Sequence, residues 1–298
     1  MFVDRALIFF IKSLQQILRV LPERTCISAG RLLGKLAFVF MRYRKKIALS
    51  NLKRVFKDLP DAEINSIAKS NFEKFGINVI EFLLMPFITD KEIPARFSIE
   101  GEHHLEEALQ KGKGAIMLAF HFANWEVTGI ISKLLGHDIV ALARPLKRRA
   151  LLNDFLNNLR ASTGVTIIVN ENTGKEVMKL LKENKLVGIL GDQREKSSQG
   201  VFVELFGAQV STSKGTAVIA MKTGTTVVPI YAVRKGFLRY AIMCGNPLEM
   251  ERKGNIEELI AKNMRKVNAF LETIIRQYPD EWFWVHRRWG KREYSNKK

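Results

Sequence analysis

The chain has 298 residues, 47% hydrophobic and 26% charged, enough to bury the core of one large or two small domains and unlike a disordered or fibrous composition. Basic residues outnumber acidic ones 48 to 30, so the net charge of +18 suits an anionic membrane surface, a nucleic acid or an acidic partner. Cys26 and Cys244 have no paired spacing, which excludes a disulfide framework and a zinc knuckle and fits a reducing, cytoplasmic compartment.

The first elements read as amphipathic helices. Leu7, Phe10, Ile11, Leu14, Ile17, Leu18 and Leu21 recur at helical steps, and Leu32, Leu33, Leu36, Ala37, Phe40 and Met41 repeat the pattern before the basic run at 42–46. Asp4 precedes the first stripe and no small-residue cleavage pattern follows, so no signal peptide is expected. Lys12, Gln15, Gln16 and Arg19 interrupt the stripe before the roughly 20 apolar residues of a spanning helix accumulate. Stripes with basic flanks suit helices lying in the head-group layer of a membrane, although two core-facing helices of a bundle would look the same. From Leu49 to about Phe87 the pattern stays helical, restarting at Pro60-Asp61, with Ile64, Ile67, Ala68, Phe72, Phe75, Val79, Ile80, Leu83 and Leu84 on the apolar side. Pro86 and Pro94 close this part. The expected organisation is a helical, membrane-associating section over 1–95 and an α/β section over 96–298.

Beyond residue 95 strands and helices alternate. Residues 97–100 read as an edge strand and 102–110 as a short helix, on which His103 and His104 lack further ligands at zinc spacing. Apolar runs at 115–120, 139–142, 165–169, 186–190 and 227–231 read as buried strands, and 149–162, 175–183 and 214–223 as helices between them. Residues 239–244 add an antiparallel strand through a hairpin at Lys235-Gly236, and a last helix runs from about Ile256 to Tyr278. The fold class is therefore α/β, a mostly parallel mixed sheet flanked by helices.

His121 follows the run 115–120, at the strand edge where open α/β sheets bind ligands. Asn124 is placed to cap a helix from Trp125 that carries Val127, Ile130, Ile131, Leu134 and Leu135 on one side. Glu126 can fold back to the imidazole, where a carboxylate on one ring nitrogen fixes the tautomer and frees the other to take a proton. Spacing alone equally allows His121 as a helix cap and Glu126 as a complement to the helix dipole. Serine-hydrolase elbows, phosphate loops, zincin pairs and dinucleotide turns are absent from the sequence. Other strand ends contribute Arg144 and the run Gly191-Asp192-Gln193-Arg194; Arg144 in a loop beside His121 would clamp a phosphate or carboxylate, and Asp192 serves either as a turn cap or as a functional acid. The segment WFWVHRRW at 282–289 mixes rings and cations as interfacial segments do, or as a core cluster with a cationic rim does.

Taken in order, HFANWE at 121–126, Gly101-Glu102 with the KGKG turn, Ala143-Arg144-Pro145, Gly191-Asp192-Gln193, the run 201–207 and WVHRRW at 284–289 resemble the late lipid A biosynthesis acyltransferases, which place lauroyl or myristoyl groups on Kdo-lipid A precursors. The resemblance covers nearly the whole chain. It implies an enzyme on the cytoplasmic face of the inner membrane, peripheral or monotopic, that moves an acyl group from acyl carrier protein or a coenzyme A thioester to a hydroxyl of an anionic glycolipid. Carried onto this chain, it makes His121 the general base and Glu126 its orienting carboxylate. Arg144, Asp192, Gln193, Arg194 and Asn124 become substrate ligands, and Arg287, Arg288 and Trp289 contacts to head groups or membrane. It implies no metal and no cofactor, the thioester being a co-substrate. Two departures stand out: the acid of the motif is Glu where many relatives in the wider superfamily have Asp, and the amino terminus lacks a clean spanning helix. The alternatives are acylation of another glycolipid such as a phosphatidylinositol mannoside, and a non-catalytic basic protein on membrane or nucleic acid. The last leaves His121 and Glu126 without a task, and the basic residues form no nucleic-acid module.

Overall fold

The computed structural model describes residues 2–143, 148–169 and 173–290. Arg144, the expected clamp, lies outside them. The chain opens with helices α1 (Phe2–Val20), α2 (Glu23–Phe40), α3 (Arg42–Val55), α4 (Asp61–Leu84) and the short α5 (Ile93–Arg96). Helices α2 and α4 cross backbone to backbone. A Cβ on Gly34 would stand 2.2 Å from the Phe72 carbonyl oxygen, and one on Gly76 2.1 Å from that of Gly30. Only glycine permits that approach.

The amino-terminal stripe is buried along one edge only. Leu18 is in the core and Ile11 and Leu14 pack against it, while Phe9, Phe10 and Phe40 are 74%, 64% and 76% exposed. No helix among the described residues is long and apolar enough to cross a membrane.

The remaining elements are β1 (Phe97–Glu100), α6 (His103–Gln110), β2 (Ala115–Ala119), α7 (Ile131–Leu135), β3 (Ile139–Ala143), α8 (Ala150–Ala161), β4 (Val165–Val169), α9 (Thr173–Lys182), β5 (Leu186–Leu190), β6 (Gly200–Leu205), β7 (Ala208–Ser213), α10 (Gly215–Thr223), β8 (Thr226–Gly236), β9 (Arg239–Cys244) and α11 (Ile256–Gln277). Seven strands form one sheet in the order β1-β9-β8-β2-β5-β3-β4. Strands β8, β2, β5, β3 and β4 are parallel, and β9 returns antiparallel to β8 with β1 beside it. This is the expected α/β class with a mostly parallel mixed sheet. The β6–β7 pair, a separate antiparallel hairpin, was not anticipated, although Val201, Val203 and Leu205 alternate as one face of a strand should.

Register decides what meets at the sheet edge. Ala119 of β2 pairs with Leu190 of β5 in a parallel ladder. The residue two beyond each, His121 and Asp192, must therefore come side by side.

Candidate active site

Asp192 is 2% exposed and accepts three hydrogen bonds: from His121 Nδ1 at 2.7 Å on one oxygen, and from the His121 backbone N–H at 3.0 Å and Trp282 Nε1 at 2.8 Å on the other. This corrects the expected pairing of His121 with Glu126. Past Asn124 the chain enters a 3-10 helix, Trp125–Ile130, and Glu126 points to α8, where both its oxygens accept from Arg160 Nε at 3.1–3.2 Å. Glu126 still favours the imidazolium through its charge, but the orienting carboxylate is Asp192. Burial alone would lower the His121 pKa; the charge and hydrogen bond of Asp192 outweigh it, so it is raised above the usual value. Burial pushes the Asp192 carboxyl the other way, and the imidazole beside it together with the Trp282 and backbone donors holds its pKa down. With Asp192 on Nδ1, the other ring nitrogen faces outward as the basic one, and Gln193 Nε2 lies 3.1 Å from it.

Asn124 does not cap the 3-10 helix. It is buried at 2% exposure and donates to Glu81 Oε2, because the preceding Ala123 takes a left-handed conformation (φ 47°) that turns the chain inward. Asn78 of α4 donates to the Ala123 carbonyl, so the loop after β2 is held at two consecutive residues. On the other side the carboxy-terminal segment clamps it: Phe283 N–H donates to the His121 carbonyl and Ala123 N–H to that of Glu281. That segment is in turn suspended from buried asparagines, Asn71 on the Asp280 and Trp282 carbonyls and Asn51 on those of Trp284 and His286.

This architecture overturns the expectation that Arg288 and Trp289 meet head groups. Both are core residues, 0% and 1% exposed, and Arg288 donates to the Ser211 carbonyl and Thr212 Oγ1 of β7. Within the aromatic run Trp282 packs edge-on against Trp284 and Trp289 and donates to Asp192. Arg287 is half-buried with its guanidinium 4.8 Å from the Tyr43 ring centroid. Arg194 is exposed, and its backbone N–H donates to His286 Nε2 at 3.1 Å. Burial, aided by Arg288, His121 and Arg44 against Asp192, pushes His286 down to about 4, so it stays a neutral acceptor.

His121 and Gln193 line a cavity of about 520 Å³. Its floor is a row of in-register residues across the sheet, Met117, Gly188, Ala141 and Ile167, in which glycine and alanine leave room for a ligand. Val165, Ile139 and Leu142 continue the apolar lining, and the Glu126–Arg160 pair sits in the wall. An apolar slot ending in a few convergent polar groups is the usual form of a small-ligand site.

Residues 2–291 match the family described as bacterial lipid A biosynthesis acyltransferase. The chain belongs to that family. Among its relatives, the lipid A biosynthesis lauroyltransferase of Escherichia coli (strain K12) is 26% identical over 273 residues, covering 91% of this chain and 87% of that protein. The palmitoleoyltransferase of the same organism is 24% identical over the same shares of the two chains. A phosphatidylinositol mannoside acyltransferase of Mycobacterium tuberculosis (strain ATCC 25618 / H37Rv) is 26% identical over 191 residues, 62% of this chain and 60% of that one. The protein is thus an acyltransferase of the lipid A and glycolipid class. The sequence reading missed the Asp192 pairing, Arg160 and the Glu81 cluster; the one local signal was the spacing of Asn71, Lys74, Asn78 and Glu81 at helical steps of three and four residues.

Proposed function

We propose that the chain transfers a fatty acyl group from an acyl thioester, carried by acyl carrier protein or coenzyme A, to a hydroxyl of a lipid A precursor, with His121 as general base oriented by Asp192. The observation that carries this reading is the His121–Asp192 pair on the wall of a cavity floored by apolar side chains. A thioester carbonyl is already electrophilic, whereas a lipid hydroxyl needs its proton removed. His121 Nε2 takes that proton as the oxygen attacks; Asp192 stabilises the imidazolium, and the same proton then passes to the departing thiolate. Arg160, held by Glu126 in the cavity wall, supplies positive charge toward the tetrahedral oxyanion. Arg144, Gln193 and Arg194 serve the acceptor head group, and the acyl chain lies along the Met117–Gly188–Ala141 floor.

The exposed Phe9, Phe10 and Phe40, with Arg5, Lys12 and Arg42–Lys46 close by in the chain, fit attachment to the cytoplasmic face of the inner membrane without a span. Burying an aromatic side chain contributes about 1.5–3 kcal/mol, so Phe10→Glu is expected to weaken binding to anionic phospholipid vesicles by roughly tenfold or more. Unchanged sedimentation with the vesicles would remove α1 from the membrane contact.

The test of the function is transfer from labelled lauroyl-acyl carrier protein to a tetraacylated lipid A precursor, with the His121→Ala protein as blank. A more heavily acylated lipid is expected. Inactivity there, with turnover on a phosphatidylinositol mannoside, would keep the chemistry and replace the acceptor by the one named for the mycobacterial relative.

A further inference from the structure

The turn after β5 is pinned along its backbone, and one of its exposed side chains reaches back to His121. Asp192 is buried under three donors, Arg194 N–H is held by His286, and Glu195 N–H donates to the Ser211 carbonyl. Gln193, between them, is exposed, and its Nε2 lies 3.1 Å from His121 Nε2. In the neutral ring, with Asp192 accepting from the Nδ1–H, the second nitrogen carries a lone pair, and the amide N–H of Gln193 is then the donor in that contact. The carboxamide therefore occupies the position a hydroxyl must take to surrender its proton. The acyl thioester of the proposed reaction, on which this step rests, is reactive toward water as well as toward a lipid alcohol.

We propose that Gln193 is a specificity-determining residue, whose hydrogen bond on the base of His121 suppresses hydrolysis of the acyl donor until a bound acceptor hydroxyl displaces it. In hydrolysis the water oxygen forms the bond to the acyl carbon, its proton passes to Nε2, the carbon–sulfur bond breaks, and the thiolate takes the proton back, leaving carboxylic acid and thiol. Transfer is the same sequence with the acceptor oxygen, leaving ester and thiol. Both nucleophiles must break the Gln193 contact. The acceptor is held at the site by its other contacts, and its effective concentration offsets that cost; a water molecule has no such support. The displaced amide can then donate to the incoming oxygen.

The contact also favours neutral His121, so its loss raises the imidazole pKa further, against the surrounding Asp192, Glu126, Arg160 and His286. The experiment compares wild type, Gln193→Ala and Gln193→Met with lauroyl-acyl carrier protein, with and without a lipid A precursor, on the alkaline plateau of the pH profile. Methionine keeps the bulk and lacks the N–H. Both variants are expected to hydrolyse the donor without acceptor roughly five- to tenfold faster than wild type, with a higher hydrolysis-to-transfer ratio and an acid limb moved to higher pH. Hydrolysis raised by alanine alone would mean exclusion by bulk and overturn the hydrogen-bond role. Hydrolysis unchanged in both, with transfer intact in wild type, overturns the proposal while leaving the acyl-transfer reading standing. No thioester consumption by wild type with any acceptor overturns that reading, and this inference with it.

Discussion

Asp192→Asn is expected to reduce acyl transfer by about 10³–10⁴-fold, while leaving the protein folded and able to bind its lipid. The magnitude follows from tautomer control. Two of the three donors on Asp192, the His121 backbone N–H and Trp282 Nε1, converge on one oxygen. In an asparagine, that position must remain an oxygen, so the amide nitrogen is forced onto His121 Nδ1. A donor there requires an unprotonated Nδ1, which moves the ring proton to Nε2 and removes the lone pair that accepts from the nucleophile. Such a tautomer switch costs about 10⁴ in the best-studied histidine–carboxylate systems, or roughly 5.5 kcal/mol of barrier. The pH dependence carries an independent signature. As the proposed base, His121 works only when neutral, so wild-type activity is expected to rise with pH through its raised pKa. Without the carboxylate, burial is left as the dominant influence, and the residual activity should set in at lower pH. Adding Asp192→Asn to His121→Ala should cost little more than His121→Ala alone, since the two act as one unit. A loss under tenfold, with the acid limb unmoved, would show that Asp192 only braces the fold.

Much of this site could be read from the chain, and the part that could not has a definite physical cause. His121 and Asp192 were both placed at strand ends because apolar runs of strand length stop immediately before them, a signal local to each segment. Their pairing depends on β2 lying beside β5, a contact across more than 60 residues that no local pattern encodes. Glu126 has that role in the sequence because a first helical turn would let it fold back to the imidazole and because the family motif puts an acid there. It lost it because Ala123 turns left-handed and the chain continues as a 3-10 helix, which sends the carboxylate toward Arg160. The carboxy-terminal aromatic run failed differently. Rings interleaved with cations look alike at a membrane interface and in a core where one arginine donates to a neighbouring strand, and only the position of the β6–β7 hairpin, itself unanticipated, distinguishes the two. The amino-terminal stripes were legible as helices. Their width is informative as well: a stripe of which only one edge is buried leaves the aromatic remainder facing outward.

The Glu81 cluster is where a single substitution should damage fold and site together. Glu81 is fully buried and accepts from Arg234, Tyr240 Oη, the Leu238 backbone N–H and Asn124 Nδ2. Arg234 also donates to the Asn78 side chain, whose own amide holds the Ala123 carbonyl. Glu81→Leu leaves a buried guanidinium, a tyrosine hydroxyl, a backbone N–H and an asparagine amide without their shared acceptor. Breaking one side of a buried ion pair costs about 3–5 kcal/mol, so unfolding in urea or heat should shift by most of the margin of an ordinary domain. Removing both charges as Glu81→Leu with Arg234→Met should recover a large part of that loss, because the uncompensated cation is gone and apolar volume replaces it. Activity should not recover with it. Asn124 and Asn78 still lack the partners that fix the left-handed turn at Ala123, and an error of about 1 Å in His121 costs on the order of 10²-fold. A double variant restored in stability and still slow, with the donor and acceptor KM unchanged, separates the two jobs of the cluster. If activity returned in parallel with stability, Glu81 would hold only the fold, and the position of His121 would be set by the Trp282–Asp192 side alone.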